Sequence, residues 1–230
     1  VKISLLYTIQ TTPIVDEMLQ PLEFEDEMPT AADRIGEFAG RGCYRSFDRP
    51  REETRTSRGY HANIQARRHF NIYEHVSFPF LVQGVSRHLL GEFTRHRFHQ
   101  FSVESLRFCP PREFVVHPTL EEAAEDDREI YEALERAWLS AEEEYEFLSE
   151  RLSDRGDLSK KEIREACAQV LPLMTSTDLV VSANLRAWRD VIKLRAAEGA
   201  NREIRQLARL FLEPLKELAP NTFQDIEVEA

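Results

Sequence analysis

The sequence predicts an α+β fold in one domain, with a central sheet packed by long helices. Three observations lead there. Two short apolar stretches of strand length, Val76–Val82 and Leu179–Ala183, lie far apart in the chain. One long segment repeats apolar residues at helical spacing, and no low-complexity tract, internal repeat or linker divides the 230 residues. That length suits one domain with a substantial core.

Taken in order, Val1, Ile3, Leu5 and Tyr7 alternate and fit a half-buried strand. Residues 10–30 hold prolines and acids and read as loop. Ala31–Cys43 reads as helix, with Gly40 and Gly42 near its end. Asp48–Arg58 is polar, arginine-rich and broken by Pro50, and reads as a mobile surface loop; Gly59–Arg68 comes next as a short helix.

After the strand at Val76–Val82, the four-residue spacing of Val85, Leu89 and Phe93 predicts a helix carrying Arg87 to Arg97. Pro110 and Pro111 end the segment behind it. Thr119 with Glu122 matches a capping box ahead of the repeat Ile130, Leu134, Trp138, Ala141, Tyr145, Leu148, Leu152. Ser159 with Glu162 is a second such box, opening a helix that Pro172 closes. Behind the strand Leu179–Ala183, Asn184 can cap a helix to about Ala197. A last helix starts near Asn201, and Pro214 is expected to kink it.

Charged residues make up 31% and hydrophobic ones 42%, an ordinary globular balance. No apolar run approaches the ~18 residues of a membrane span, and Val1–Tyr7 is too short for a signal peptide. Cys43, Cys109 and Cys167 are scattered and odd in number, so a reducing cytoplasm is the expected setting. A net charge of −11 argues against general nucleic-acid binding. Yet of the 30 basic residues only 5 are lysine. Arginine suits two-pronged recognition of phosphate and carboxylate, although a GC-rich genome would give the same bias.

The densest constellation runs from Arg95-His96-Arg97 through Phe98, His99, Ser105 and Arg107. Consecutive Arg-His-Arg projects charge in three directions, which suits a site gripping a polyanion from several sides; a surface basic patch on an acidic protein would account for the residue types equally well. Arg186 and Asp190 stand four apart and can pair along a helix. His69 to His75, with Glu74, stands at a strand entrance, where such residues are catalytic or simply satisfied by backbone. His88, Glu92 and His96 at four-residue steps suggest a metal centre. On one helix, however, the outer two would lie ~12 Å apart, and no His-Glu-x-x-His motif is present. No metal is expected.

Arg95-His96-Arg97, seven residues, then Ser105 resembles the Arg-His-Arg-x7-Ser signature of the flavin-dependent thymidylate synthases. Arg107-Phe108 continues it where Arg-Tyr is usual. Glu37 to Tyr44, His69 through Glu74-His75, Leu171-Pro172, Asn184-x-Arg186 and Leu194-Arg195-Ala196 are similar to other blocks of that family, in order. The resemblance implies the family's fold, a homotetramer with shared flavin sites, and methylation of C5 of dUMP or UMP. It also implies methylenetetrahydrofolate as carbon donor, FAD as hydride carrier and NADPH as electron source.

By the same resemblance FAD is held by Asn71, Arg95, His96, Arg97, Asn184, Arg186 and Asp190. The nucleotide is held by Glu92, Arg95, Ser105, Leu106, Arg107 and Arg195. Arg195 lies against the uracil as a catalytic cation, and His69 sits near flavin and folate. Ser105, with no base beside it in sequence, reads as a binding residue rather than a nucleophile. Four positions depart from the family: Val103 where Glu or Gln is usual, Ala168 for a phosphate-binding arginine (with Arg164 one turn earlier as a possible replacement), Asp190 for Asn or His, and Gly199 for His. An apolar Val103 rejects an added hydroxyl only weakly. A pocket relaxed in this way would admit UMP, as in relatives that make 5-methyluridine units for nucleoside antibiotics, whereas ordinary family drift would leave dUMP the substrate. A catalytically altered flavin- or nucleotide-binding protein on the same scaffold is the alternative.

Overall fold

A computed structural model describes residues 1–20 and 29–227. Its first strand, β1 (Lys2–Leu5), precedes helix α1 (Pro13–Leu19). The loop expected over residues 10–30 is thus partly helical. Pro13 at the helix start supplies a fixed φ where no amide donor is needed, and Val15 and Leu19 bury against Phe38 and Phe47. The part of that expected loop at residues 21–28 lies outside the described residues.

Helix α2 (Ala31–Tyr44) starts on the Thr30 side chain, which accepts from the Asp33 amide, and ends at Arg45 in the left-handed region. The stretch read as loop, Asp48–Arg58, contains a 3-10 turn, Glu52–Thr54, and is tied down by a hydrogen bond from Arg41 Nη2 to the Thr54 carbonyl (2.6 Å). Helix α3 (Ser57–Arg67) and a 3-10 turn, Phe70–His75, lead into β2 (Ser77–Ser86).

Helix α4 spans only Arg87–Phe93, because Val85 belongs to β2 and Ser86 caps the helix by accepting from the Leu89 amide. Arg95, His96 and Arg97 therefore lie on a turn beyond the helix, not on its face as the spacing predicted. The expected ladder of His88, Glu92 and His96 on one helix does not form. Strand β3 (His99–Val103) begins directly after the turn.

Helix α5 (Pro118–Asp126) is capped by His117, with Thr119 already inside it. Asp127 then caps the long helix α6 (Arg128–Ser153), so the Thr119 box does not open α6. The Ser159–Glu162 box does form and starts α7 (Lys160–Cys167), which gives way to a 3-10 turn, Ala168–Val170. Strand β4 (Ser176–Asn184), α8 (Leu185–Arg195) and α9 (Arg202–Leu218) complete the chain, and α9 runs on through Pro214.

The four strands form one sheet in the order β1-β2-β4-β3. Strands β2 and β4 are antiparallel: the Leu185 amide meets the Val76 carbonyl at one end, and the Arg87 amide meets the Thr175 carbonyl at the other. The residues fall into two compact units. The first holds Val1–Lys2, Val82–Arg95 and Phe101–Val180; the second holds Ile3–Leu81, His96–Gln100 and Val181–Ala230. Neither is continuous in sequence.

In the first unit Tyr145, Ile163 and Cys167 bury against Leu148, Leu152 and Leu171, joining α6 to α7. In the second, Trp188 is fully buried, with Phe80 edge-on at 5.3 Å and Phe211 at 4.7 Å. Its indole N–H donates to the Phe78 carbonyl. Arg189, 2% exposed, is carried on the same helix and bonds both oxygens of Asp225 (2.7 and 2.8 Å). Among the described residues no helix is long and apolar enough to cross a membrane.

Candidate active site

Asn184 ends β4 and begins α8. Its Oδ1 accepts from the Ala187 amide (2.9 Å), which fixes the direction in which the first turn of α8 projects. From that turn Arg186 reaches Glu74, 112 residues earlier in the chain, and its Nη1 donates to Oε1. Arg186 thus pairs with Glu74, not with Asp190 as the four-residue spacing suggested. The strand-to-helix junction simply brings Glu74 closer to its fork. Glu74, Phe98, Asn184, Arg186, Ala187 and Asp190 line a cleft of about 140 Å³. Phe98 is 73% exposed, an unusual setting for so apolar a ring. The cleft therefore offers an apolar aromatic face with a cation and carboxylates at its edge.

At the far end of α8, Arg195 is half-buried and its Nε–H donates to His96 Nε2 (2.9 Å). An acceptor at Nε2 requires a neutral ring with its proton on Nδ1. His96 in turn packs edge-on to His99 (5.8 Å), which stands edge-on to Trp188 (5.1 Å). Burial, helped by the neighbouring His96, pushes the pKa of His99 down to about 4. This stack carries the burial of the core out to the Arg-His-Arg turn. Arg97 is exposed on that turn.

His69 directly precedes the 3-10 turn Phe70–His75, makes no capping bond to it and is exposed, as is Asn71 within the turn. Neither lines the cleft with Asn184. His69 lines a different concavity of the same unit.

In the first unit Arg95 is exposed and pairs with Glu92 (3.2 Å). Ser105, Leu106 and Arg107 form a helical turn behind β3, closed by bonds from the Phe108 and Cys109 amides to the Ser105 carbonyl. The Ser105 hydroxyl accepts from the Arg107 amide (3.4 Å), and among the described residues no His, Lys or acid bonds it as a base. Arg107 pairs with Glu165 (2.8 Å), and Arg164 donates to the Phe108 carbonyl (2.7 Å). The replacement candidate for the arginine missing at Ala168 therefore does reach the Ser105 turn.

Val103 ends β3, and the next residue, Glu104, is bound on both its carboxylate and its carbonyl. Its carboxylate is taken by Arg112 (2.7 Å), while its carbonyl accepts from Arg87 Nη2 (3.1 Å). Arg112 also lies 3.5 Å from Asp178, which the Gly84 amide and Gln83 hold as well. Burial raises the Asp178 carboxyl, but these bonds outweigh it and leave the pKa below the usual carboxylate value. Arg87, half-buried with its Nε lacking a partner, was given no site role in the sequence; the exposed Phe98 was named only as part of the Arg-His-Arg run. The signal for Arg87 was weak: it sits at a helix start, where a lone arginine looks like surface. Among the described residues no three His, Cys, Asp or Glu gather as a metal site.

Residues 25–221 match the family described as Thymidylate synthase complementing protein. A probable flavin-dependent thymidylate synthase of Mycobacterium phage D29 is 44% identical over 208 residues, 89% of this chain and 88% of the relative. The flavin-dependent thymidylate synthase of Mycobacterium tuberculosis is 36% identical over 230 residues, 95% of this chain and 92% of the relative. Among solved structures, a UMP/dUMP methylase, PolB, from Streptomyces cacaoi, bound with 5-Br dUMP, shares the fold. Its TM-score is 0.69 at 23% identity, covering 85% of this chain and 90% of that one.

Proposed function

The chain belongs to the thymidylate synthase complementing protein family of flavin-dependent methyltransferases, and from that we propose that it methylates C5 of a uridine 5′-monophosphate nucleotide, dUMP or UMP. Methylenetetrahydrofolate is the carbon donor and NADPH the electron source. The observation that carries this reading is the bond between Arg195 and His96. It joins the arginine expected at the uracil to the signature histidine expected at the flavin.

The residues fit a flavin. An exposed aromatic ring, Phe98, offers a face for a planar tricycle, and Asn184, Arg186 and Asp190 offer polar groups for its edge. Arg95 and Arg97 suit its phosphates. FAD, when bound, supplies the hydride. The protein's part is orientation and charge. Arg195 stabilises negative charge developing on the uracil and so makes C5 more nucleophilic. His96, accepting from Nε, sets the plane of that guanidinium. Ser105, Leu106, Arg107 and Glu92 hold the nucleotide, with Arg164 taking the phosphate in place of the residue lost at Ala168. His69 closes the folate side.

Val103 leaves the ribose surroundings without one hydrogen-bonding side chain, and Glu104 is occupied by Arg112. Discrimination against the 2′-hydroxyl is therefore weak, and both nucleotides are substrates.

The test is a visible spectrum of the purified protein and then tritium release from 5-tritiated dUMP and UMP, with methylenetetrahydrofolate and NADPH. The expected result is a yellow protein that releases tritium from both. Release from dUMP alone at high UMP would overturn the relaxed specificity. A yellow protein that binds nucleotide and releases none would make it a non-catalytic relative.

A further inference from the structure

A second, larger concavity of about 490 Å³ lies in the unit that holds the Arg186 cleft. Arg41, Arg49, Arg51 and Arg67 line it, with Tyr44 and His69. Arg41 is already neutralised by Glu37 (2.7 Å) and packs over the Tyr60 ring, forming a fixed floor. Among the described residues the other three are not neutralised. Arg49 donates to the Tyr44 carbonyl (3.0 Å) and Arg67 to the Asn63 amide oxygen (2.9 Å), and both acceptors are uncharged. Glu53 is the one acid among the lining residues.

A chain of net charge −11 thus gathers around one hollow three guanidinium groups that have no carboxylate partner among the described residues. Such groups repel one another and destabilise the empty protein. Their forked donors match carboxylate and phosphate oxygens. The hollow has the size of a small-molecule site, and one wall is His69.

We propose that this concavity binds the oligoanionic extension of a co-substrate, either the γ-linked glutamate chain of the folate or the phosphates of the reduced nicotinamide dinucleotide. The inference rests on the reading of the chain as a folate-using flavoenzyme. His69 connects the two, because it stands in the hollow and is the residue expected beside flavin and folate.

The test compares wild type with R49A/R51A/R67A, three exposed positions outside the machinery assigned above. KM is measured for mono- and pentaglutamyl methylenetetrahydrofolate and for NADPH and NADH, with FAD affinity measured separately. The expected result is a wild-type preference of tenfold or more for the longer folate, or for NADPH. The variant should lose that preference, with kcat and FAD affinity within about twofold of wild type. Loss of the glutamate preference names the folate; loss of the NADPH preference names the nicotinamide.

In wild type alone, the preference should fall as salt rises from 0.05 to 0.5 M, which tests the charge without a variant. Equal KM values within each pair, a preference that survives in the variant, or a variant whose defect is FAD binding would overturn the proposal. If wild type releases no tritium, the proposed function fails. Calorimetry of pentaglutamyl against monoglutamyl folate, and of NADPH against NADH, then decides the hollow by itself.

Discussion

Arg195 and His96 stand 99 residues apart and share one hydrogen bond of 2.9 Å. The bond uses Nε, an atom lysine lacks, so charge and geometry can be separated. Arg195→Lys keeps the cation and loses the fixed plane. It is expected to lower the tritium-release kcat by roughly a hundredfold, the scale of one lost donor at a developing anion. Flavin absorbance and nucleotide affinity should change little, and a comparable loss of nucleotide binding would make Arg195 a ground-state contact. His99 gives a second test. Its folded pKa of about 4 lies below the ordinary 6.5, so between those values the unfolded chain binds the proton and the folded chain does not. Stability therefore falls as pH drops from 6.5 toward 4, by about 3 kcal/mol in all. Urea midpoints across that range should show the slope in wild type and a flatter one in His99→Phe.

At the scale of the element, α8 positions both ends of the candidate site. Asn184 caps its start, and Arg195 sits on its last turn. Asn184→Ala is expected to cost about 1 kcal/mol of stability through the lost cap, and to weaken flavin binding. Asn184→Asp restores the cap but adds a carboxylate to a cleft that already holds Glu74 and Asp190. It should recover stability without recovering flavin affinity. If Asp rescues both, the side chain acts only as a cap. Thermal unfolding and flavin titration read the two effects separately.

For the whole molecule, the Arg186 cleft measures about 140 Å³. That is below the roughly 300 Å³ at which sites enclosing a drug-sized ligand begin, so it can seat an edge of a flavin rather than the whole of FAD. A homotetramer with shared sites would supply the remainder. Sedimentation equilibrium should give about four times the 26.8 kDa of the chain. Dilution that dissociates the assembly should release flavin in step, whereas a flavin-loaded monomer would rule shared sites out.

The signature Arg95-His96-Arg97-x7-Ser105, the Asn184 cap and the Ser159–Glu162 box were legible in the chain, because each depends on neighbours within one or two helical turns. The ends of elements were less so. Val85 looked like the first residue of a helix, but pairing of β2 with β4 claimed it for the sheet, and that pairing joins residues about ninety apart. Partner choice was not legible at all. Local spacing offered Asp190 to Arg186, and the fold delivered Glu74. The sequence by itself determined the family and the longer elements, such as α6 and α9, but not α1, β3 or α5. Only the tertiary structure decided which charges neutralise one another and which, like Arg49 and Arg67, meet uncharged acceptors among the described residues. Coulombic pairing depends on distances of a few ångströms between residues that the chain holds far apart.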